Sequence, residues 1–399
     1  MTIPSVNGEE TEDGASVVVG QPTRATRIGV SALPYTIRRK SVAHVVLIVA
    51  GLAVAVGLIL WGGSFGQFNQ GQLTLVLSYA IAISGLNIAT GYTGMISVGH
   101  SAFFGLGAYT TGILVVNYGW NALATIPIAL LVCFAAGVIV GLPALKIRGL
   151  YLAVVTLAAG VTFPELVDRF AGLTGGSQGL LISLTQLKPP AWSGFTIGQE
   201  GEWLYWLSVV LLIIVMVIVH NIVQSRYGLA MMAVRDNELA ASASGVNIIV
   251  LKPITFGVSS AIAGVGGCLF AIYLGSLVAD DSFTLLTAVT LLTGLVIGGQ
   301  GTRFGPIIGG LVVVYVPYYT SNIGQGESSA VLFGVALILV IFLAPEGLMG
   351  GIARLASKAL VVIPATPQPF SPAARSSSVD STLASNAPPH DPSIGTAPD

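Results

Sequence analysis

Charge is scarce in this chain. Asp, Glu, Lys and Arg make up 8% of its 399 residues, against about 25% in an ordinary soluble domain. A water-exposed surface around a chain of this length needs far more charge, so two or three soluble domains are excluded. With 54% hydrophobic residues, most of the surface must face lipid. The net charge of −1 lacks the basic footprint of a nucleic-acid partner. Cysteine is limited to Cys133 and Cys268. Both stand in apolar runs without a Cys or His at ligand spacing, so they read as packing residues and no metal site is expected. There is no G-x-x-x-x-G-K-[ST] loop, no H-E-x-x-H and no G-x-S-x-G, which removes P-loop ATP binding and the common hydrolase constellations. His44, His100, His220 and His390 have no Cys or carboxylate at ligand spacing. Neither catalysis nor a cofactor is expected on this chain. The apolar segments hold almost no ionisable groups, which argues against a proton or sodium path. His44 and His220 lie near segment ends and suit the interface. Glu165 follows Pro164 at the outer end of the fifth segment, as either a functional or an interfacial carboxylate.

What is present fits a polytopic membrane protein. Gly is abundant, with 50 residues, which suits close helix packing in lipid. Gly137 and Gly141 form a G-x-x-x-G of that kind. Ten apolar segments fall at 42–60, 73–90, 99–116, 122–142, 150–167, 203–223, 254–275, 283–299, 306–320 and 329–344. The first follows Arg38, Arg39 and Lys40 and approaches the ~20 residues that cross a bilayer. That length, and the polar stretch before it, distinguish it from a cleaved signal. The segments 283–299 and 306–320 are short, so the count is ten, or eight or nine if they do not each cross. With both termini in the cytoplasm, every Lys and Arg except Arg169 and Lys188 falls inside, as the positive-inside rule requires. The expected fold is therefore all-α. A flexible cytoplasmic leader spans 1–41, a transmembrane domain 42–350, and a Pro/Ser-rich tail, disordered by composition, 351–399.

Three stretches carry most of the information. The cytoplasmic connection 224–253 is rich in good helix formers over 229–244. Gly245 stands where a left-handed cap would end that helix, and Arg235 and Glu238 fall one turn apart on it. Its run of small residues, Ala240, Ala241, Ser242, Ala243 and Ser244, suits close approach by a partner groove. The other reading is a linker helix at the interface. The stretch 90–109 places Gly91, Gly94 and Gly99 among the polar residues Tyr92, Thr93, Ser97, His100 and Ser101. Irregular backbone at membrane depth is tolerated where protein or a water-filled cavity satisfies it. Tyr92, Thr93, Ser97 and His100 are thus candidates for lining a path, against the alternative of a tight cytoplasmic turn. The glycine-rich turn 298–306 is open to the same two readings. Its Arg303 marks the cytoplasmic side.

Taken in order, several pieces resemble the permease subunits of branched-chain amino-acid ABC importers, and more closely the M-type subunit. They are Leu86-Asn-Ile-Ala-Thr-Gly-Tyr-Thr-Gly-Met-Ile-Ser-Val-Gly-His-Ser-Ala-Phe-Phe-Gly-Leu-Gly-Ala-Tyr109, Gly141-Leu-Pro-Ala-Leu-Lys-Ile-Arg-Gly-Leu-Tyr-Leu-Ala153, Leu173-Thr-Gly-Gly-Ser-Gln-Gly179, the segments 225–247 and 298–306, and Phe342-Leu-Ala-Pro-Glu-Gly-Leu348. The ordered set is specific where any one piece is not. It covers roughly 70–350 and leaves out the leader and the tail. The resemblance implies a second permease subunit beside this one, two ATP-binding subunits below, and an extracytoplasmic substrate-binding protein. It also implies residence in the inner membrane of a prokaryote. The 225–247 segment resembles the family's coupling loop. Arg235, Asp236, Glu238, Ala240, Ala241 and Gly245 are then the candidate contacts to the ATPase, and Leu239 departs from the generic Ala. The function implied is ATP-driven import, with hydrolysis on other chains. A stand-alone transporter or facilitator is the alternative, as is an ABC permease for urea, amides, aromatic acids or sugars.

Overall fold

Several of the apolar segments are joined by short turns rich in Gly or Asn, which set neighbouring helices antiparallel. The computed structural model describes residues 36–38, 56–57, 59–145, 149–182, 189, 193–195, 198–323, 347–359 and 361–363, with a few positions between 331 and 342. Helices α1 (Gln67–Leu86), α2 (His100–Tyr118), α3 (Ala122–Gly141), α4 (Leu150–Arg169) and α5 (Glu200–Gln224) come first. Two short helices follow, α6 (Arg226–Asp236) and α7 (Glu238–Ala243). Then come α8 (Ile248–Leu274), α9 (Leu285–Gly298), α10 (Gly305–Ile323) and α11 (Gly347–Ala359). Among the described residues α1–α5 and α8–α10 run between the two ends of the bundle. Six stretches are each long and apolar enough to cross a bilayer: Gln67–Tyr92, Ala122–Leu145, Tyr151–Arg169, Glu200–Gln224, Ile248–Leu274 and Ala279–Gly298. The expected segments at 42–60 and 329–344 lie almost entirely outside the described residues.

The ends are fixed by connections between distant turns. At one end the side chain of Asn87 bonds the 298–306 turn twice, donating to Thr302 O and accepting from Gly301 N–H, each at 2.8 Å. At the other end β2 (Leu180–Leu181) pairs antiparallel with β3 (Ser276–Leu277). There the Tyr109 hydroxyl donates to Leu277 O at 3.2 Å, and the rings of Phe68 and Tyr318 lie 6.0 Å apart. The short segments 283–299 and 306–320 therefore extend from one end to the other: the turn between them meets Asn87, and Tyr318 near the end of α10 meets Phe68.

The centre is α8, almost wholly enclosed by α1, α2 and α3. Among its apolar residues it carries Lys252, Thr255, Ser259, Ser260 and four glycines, which enclosure by protein allows. Glycines let its backbone meet its neighbours: a Cβ on Gly264 would overlap Cys133, and one on Gly267 would overlap the Phe104 carbonyl. Gly137 and Gly141 of α3 face Ser260 and Phe256 of α8, so the G-x-x-x-G is a packing face. Towards the β2–β3 end an aromatic cluster fills the core. Phe104, Phe270 and Phe283 stand with ring centroids 5.1–5.9 Å apart, and Tyr109 and Phe163 join them. Such pairs add about 0.5–1.5 kcal/mol each beyond burial.

Residues 42–357 form one compact unit, and 1–41 with 358–399 form another. Within the second, β1 (Thr36–Arg38) pairs in parallel with β4 (Val361–Ile363). The tail expected from residue 351 is helical to Ala359 in α11 before β4. Its Pro/Ser-rich part, like most of the leader, lies outside the described residues.

Candidate functional site

The 225–247 segment folds as two helices, not the single one its composition suggests. Asn237 makes the break. Its backbone is extended (φ −157, ψ 108), and its side chain caps α7 by accepting from Ala240 N–H at 3.0 Å. Asparagine offers the backbone this local partner and so competes with helix continuation. Ser225 caps α6 in the same way, through Tyr227 N–H at 3.2 Å, and Asn247 caps α8 through Val250 N–H at 3.3 Å. Past the last turn of α7, Gly245 takes the left-handed conformation expected of it, at φ 90. Gly245 N–H donates to Ser242 O and Val246 N–H to Ala241 O, at 3.0 and 3.1 Å. That is a Schellman closure, which favours Gly at this position.

The break separates Arg235 from Glu238, so they do not pair along one helix. Arg235 Nη1 donates to Gly91 O at 2.7 Å, and its side chain passes over Gly94 and Gly301. Glu238 turns the other way and accepts from Lys252 Nζ at 2.8 Å. Met231, Val234 and Ala241 face inward against the adjoining ends of α5 and α8. Asp236, Leu239, Ala240 and Gly245 face outward, with Leu239 71% exposed. Of the sequence candidates for partner contact, the structure therefore offers Asp236, Ala240 and Gly245 on the open face. Ala241 points into the bundle, and Arg235 and Glu238 engage the chain itself.

The 91–100 stretch lies directly against this segment. The last turn of α1 widens into a π-helical turn, Asn87–Tyr92, where the Thr93 hydroxyl donates to Ile88 O at 3.0 Å. Tyr92, Thr93, Ser97 and His100 are all buried within the chain. The Tyr92 hydroxyl has no hydrogen-bond partner among the described residues. His100 bridges α8 to the start of its own helix: Nδ1 lies 2.7 Å from Ser97 Oγ and Nε2 lies 2.7 Å from Ser259 Oγ. Ser259 gives its one hydroxyl hydrogen to Gly85 O at 2.6 Å, so it accepts from His100. The network therefore assigns the Nε2–H tautomer, with Nδ1 accepting from Ser97. Glu165 stands exposed on α4, away from this cluster.

Sequence reasoning passed over three residues here. Lys252 counted only as a cytoplasmic charge, Leu239 only as a departure from a motif, and Asn87 not at all. Lys252 left a signal, being a lysine beside a proline at the start of an apolar run. Asn87 left none, because its partners are far along the chain.

At the opposite end a cavity of about 210 Å³ lies between α1, α3, α5 and α8. Gln67, Thr74, Asn121, Glu200 and Tyr273 give it polar groups, and Trp203 and Leu207 give it apolar ones.

Comparison with known proteins identifies the family. The family model described as "Branched-chain amino acid transport system / permease component" matches residues 68–341. The high-affinity branched-chain amino acid transport system permease proteins LivM of Salmonella typhimurium and Escherichia coli are 28% and 29% identical over 320 residues, 75% of this chain and 74% of each relative. The LivH permease protein of Escherichia coli is 24% identical over 295 residues, 70% of this chain and 93% of its own. No solved structure matches the chain. With that family model spanning well over half of its length, the chain belongs to the permease components of branched-chain amino acid transport systems.

Proposed function

We propose that this chain is the M-type transmembrane subunit of an ATP-driven importer of branched-chain amino acids in the inner membrane of a prokaryote. It works beside a second permease subunit. Two ATP-binding subunits dock below, and an extracytoplasmic binding protein delivers the substrate above. Hydrolysis belongs to the partner chains, and this chain carries no cofactor. The membrane domain has ten spans with both termini in the cytoplasm, so the end bearing α6 and α7 faces inward. The relatives named for branched-chain amino acid transport support the cargo. A zwitterion with an aliphatic side chain suits the mixed polar and apolar cavity at the outer end.

The observation that carries this reading is the open face of α7. Leu239 is exposed beside Ala240 and Ala243 on a helix that turns only Glu238 and Ala241 towards its own chain. An exposed leucine ringed by small residues on a rigid, capped helix is what a partner groove accepts. Binding of ATP closes the partner, α7 moves with it, and the spans change access.

The test uses the assembled transporter. Leu239→Asp is expected to cut co-purification of the ATPase subunits more than about tenfold, as loss of a buried anchor does, while the chain stays folded. Undiminished co-purification, or substrate uptake that needs no ATP, defeats the proposal.

A further inference from the structure

Lys252 is a charged group in an enclosed place: its side chain is 5% exposed. It sits in the second turn of α8. Its ammonium donates to Glu238 Oε1 at 2.8 Å and to Ala144 O, in the turn just past α3, at 3.1 Å. An enclosed ammonium is tolerated only when paired and hydrogen-bonded. Glu238 is the first residue of α7, and at 16% exposure it turns back from the face that carries Leu239. Both ends of α7 are thus fastened to α8. The C-terminal end is held by the turn through Gly245 to the cap residue Asn247, and the N-terminal end by the Glu238–Lys252 pair. Arg235, just before the break at Asn237, is fastened instead to Gly91 at the foot of α1.

We infer that Lys252 is a positioning residue for coupling. Through Glu238 it makes α7 and α8 one rigid body, so that a displacement of α7 reaches the innermost membrane helix. The extended backbone at Asn237 is the joint between this body and α6, whose Arg235 is fastened to Gly91. Without the pair, the link between α7 and α8 is weakened to the Gly245 turn, the packing of Ala241 and whatever else Glu238 meets, and a push on α7 is passed to α8 less completely. The inference rests on α7 being the helix that the ATPase moves.

Two readings on the complete transporter in liposomes test it: ATPase recovered with the permease, and substrate imported per ATP hydrolysed. Lys252→Met keeps the stem and removes the charge. ATPase recovery is expected to stay near that of the unaltered complex while import per ATP falls about fivefold, within the range seen for residues that carry coupling. Lys252→Arg, which keeps the donors, is expected to restore most of it. A second variant answers the case in which Lys252→Met does not assemble. Glu238→Cys with Lys252→Cys, joined by a reducible bifunctional thiol reagent, restores the tether covalently; Cys133 and Cys268 are buried. Import per ATP is expected to be high when joined and low after reduction of the same molecules. An unchanged ratio on reduction overturns the inference, as does Lys252→Met importing normally per ATP. Failure of the docking reading is seen separately, as ATPase recovery unaffected by Leu239→Asp.

Discussion

Helices α8 and α5 are of similar length and differ in almost every other respect. From Val209 to Val219, α5 is an unbroken aliphatic and Met run, and Val210, Ile213, Ile214, Val217 and Ile218 are exposed along it. In contrast α8 carries Lys252, Thr255, Ser259, Ser260 and four glycines, and its side chains are buried nearly throughout. A soluble protein sorts its helices the other way. In lipid, apolar side chains gain nothing by leaving the solvent, so the interior goes to surfaces that pack closely and to polar groups that need partners. The helix with the unbroken aliphatic run is the outer one, and the helix that carries glycines, hydroxyls and a lysine is the core.

The sharpest way to break this contrast is to add bulk to α8. Gly267→Val drives a side chain into the Phe104 carbonyl. Backbone cannot give way as a flexible side chain can. The expected cost is about 3 kcal/mol or more, visible as aggregation on extraction in mild detergent. A monodisperse variant with an unchanged melting temperature refutes the idea that backbone contact at α8 is required.

The same contrast decides what was legible in the sequence. Hydropathy located α5 within a few residues, because its lipid-facing surface is what hydropathy measures. It began α8 six residues late, at 254 instead of 248, because Lys252 and Pro253 look like the end of a span. A buried, paired lysine defeats a rule that reads charge as surface. The left-handed turn at Gly245 was readable, since it depends on one residue's backbone. The break at Asn237 was not: Ala, Leu and Met around it outweigh one asparagine until its side chain is seen capping α7. The 91–100 stretch was readable as irregular and polar. Its neighbours Arg235, Ser259 and Gly301 lie between 144 and 214 residues away along the chain from the residues they bond. No local pattern carries such distances.

A smaller effect is expected where the core is polar. His100→Ala removes the link from Ser97 to Ser259 and leaves a space beside Phe103 and Phe256. Loss of two hydrogen bonds and a partly collapsing cavity costs about 2 kcal/mol, measurable as a lower melting temperature. His100→Phe fills the space but not the hydrogen bonds. If it matches the unaltered protein, packing alone explains the site and the network adds nothing.

The smallest effect belongs to the outer helix. Ile213 is half exposed on α5, and in the membrane its neighbours beyond the chain are lipid tails. Ile213→Ala exchanges contacts with tails for contacts with tails that move in to fill the gap. No cavity persists, because a fluid neighbour relaxes where a packed helix does not. The expected change is below about 0.5 kcal/mol, as for substitutions away from packed features. In a soluble core the same truncation costs about 2–5 kcal/mol. A measured loss in that higher range would mean that this face of α5 meets protein in the assembled transporter, as it would against the proposed second permease subunit.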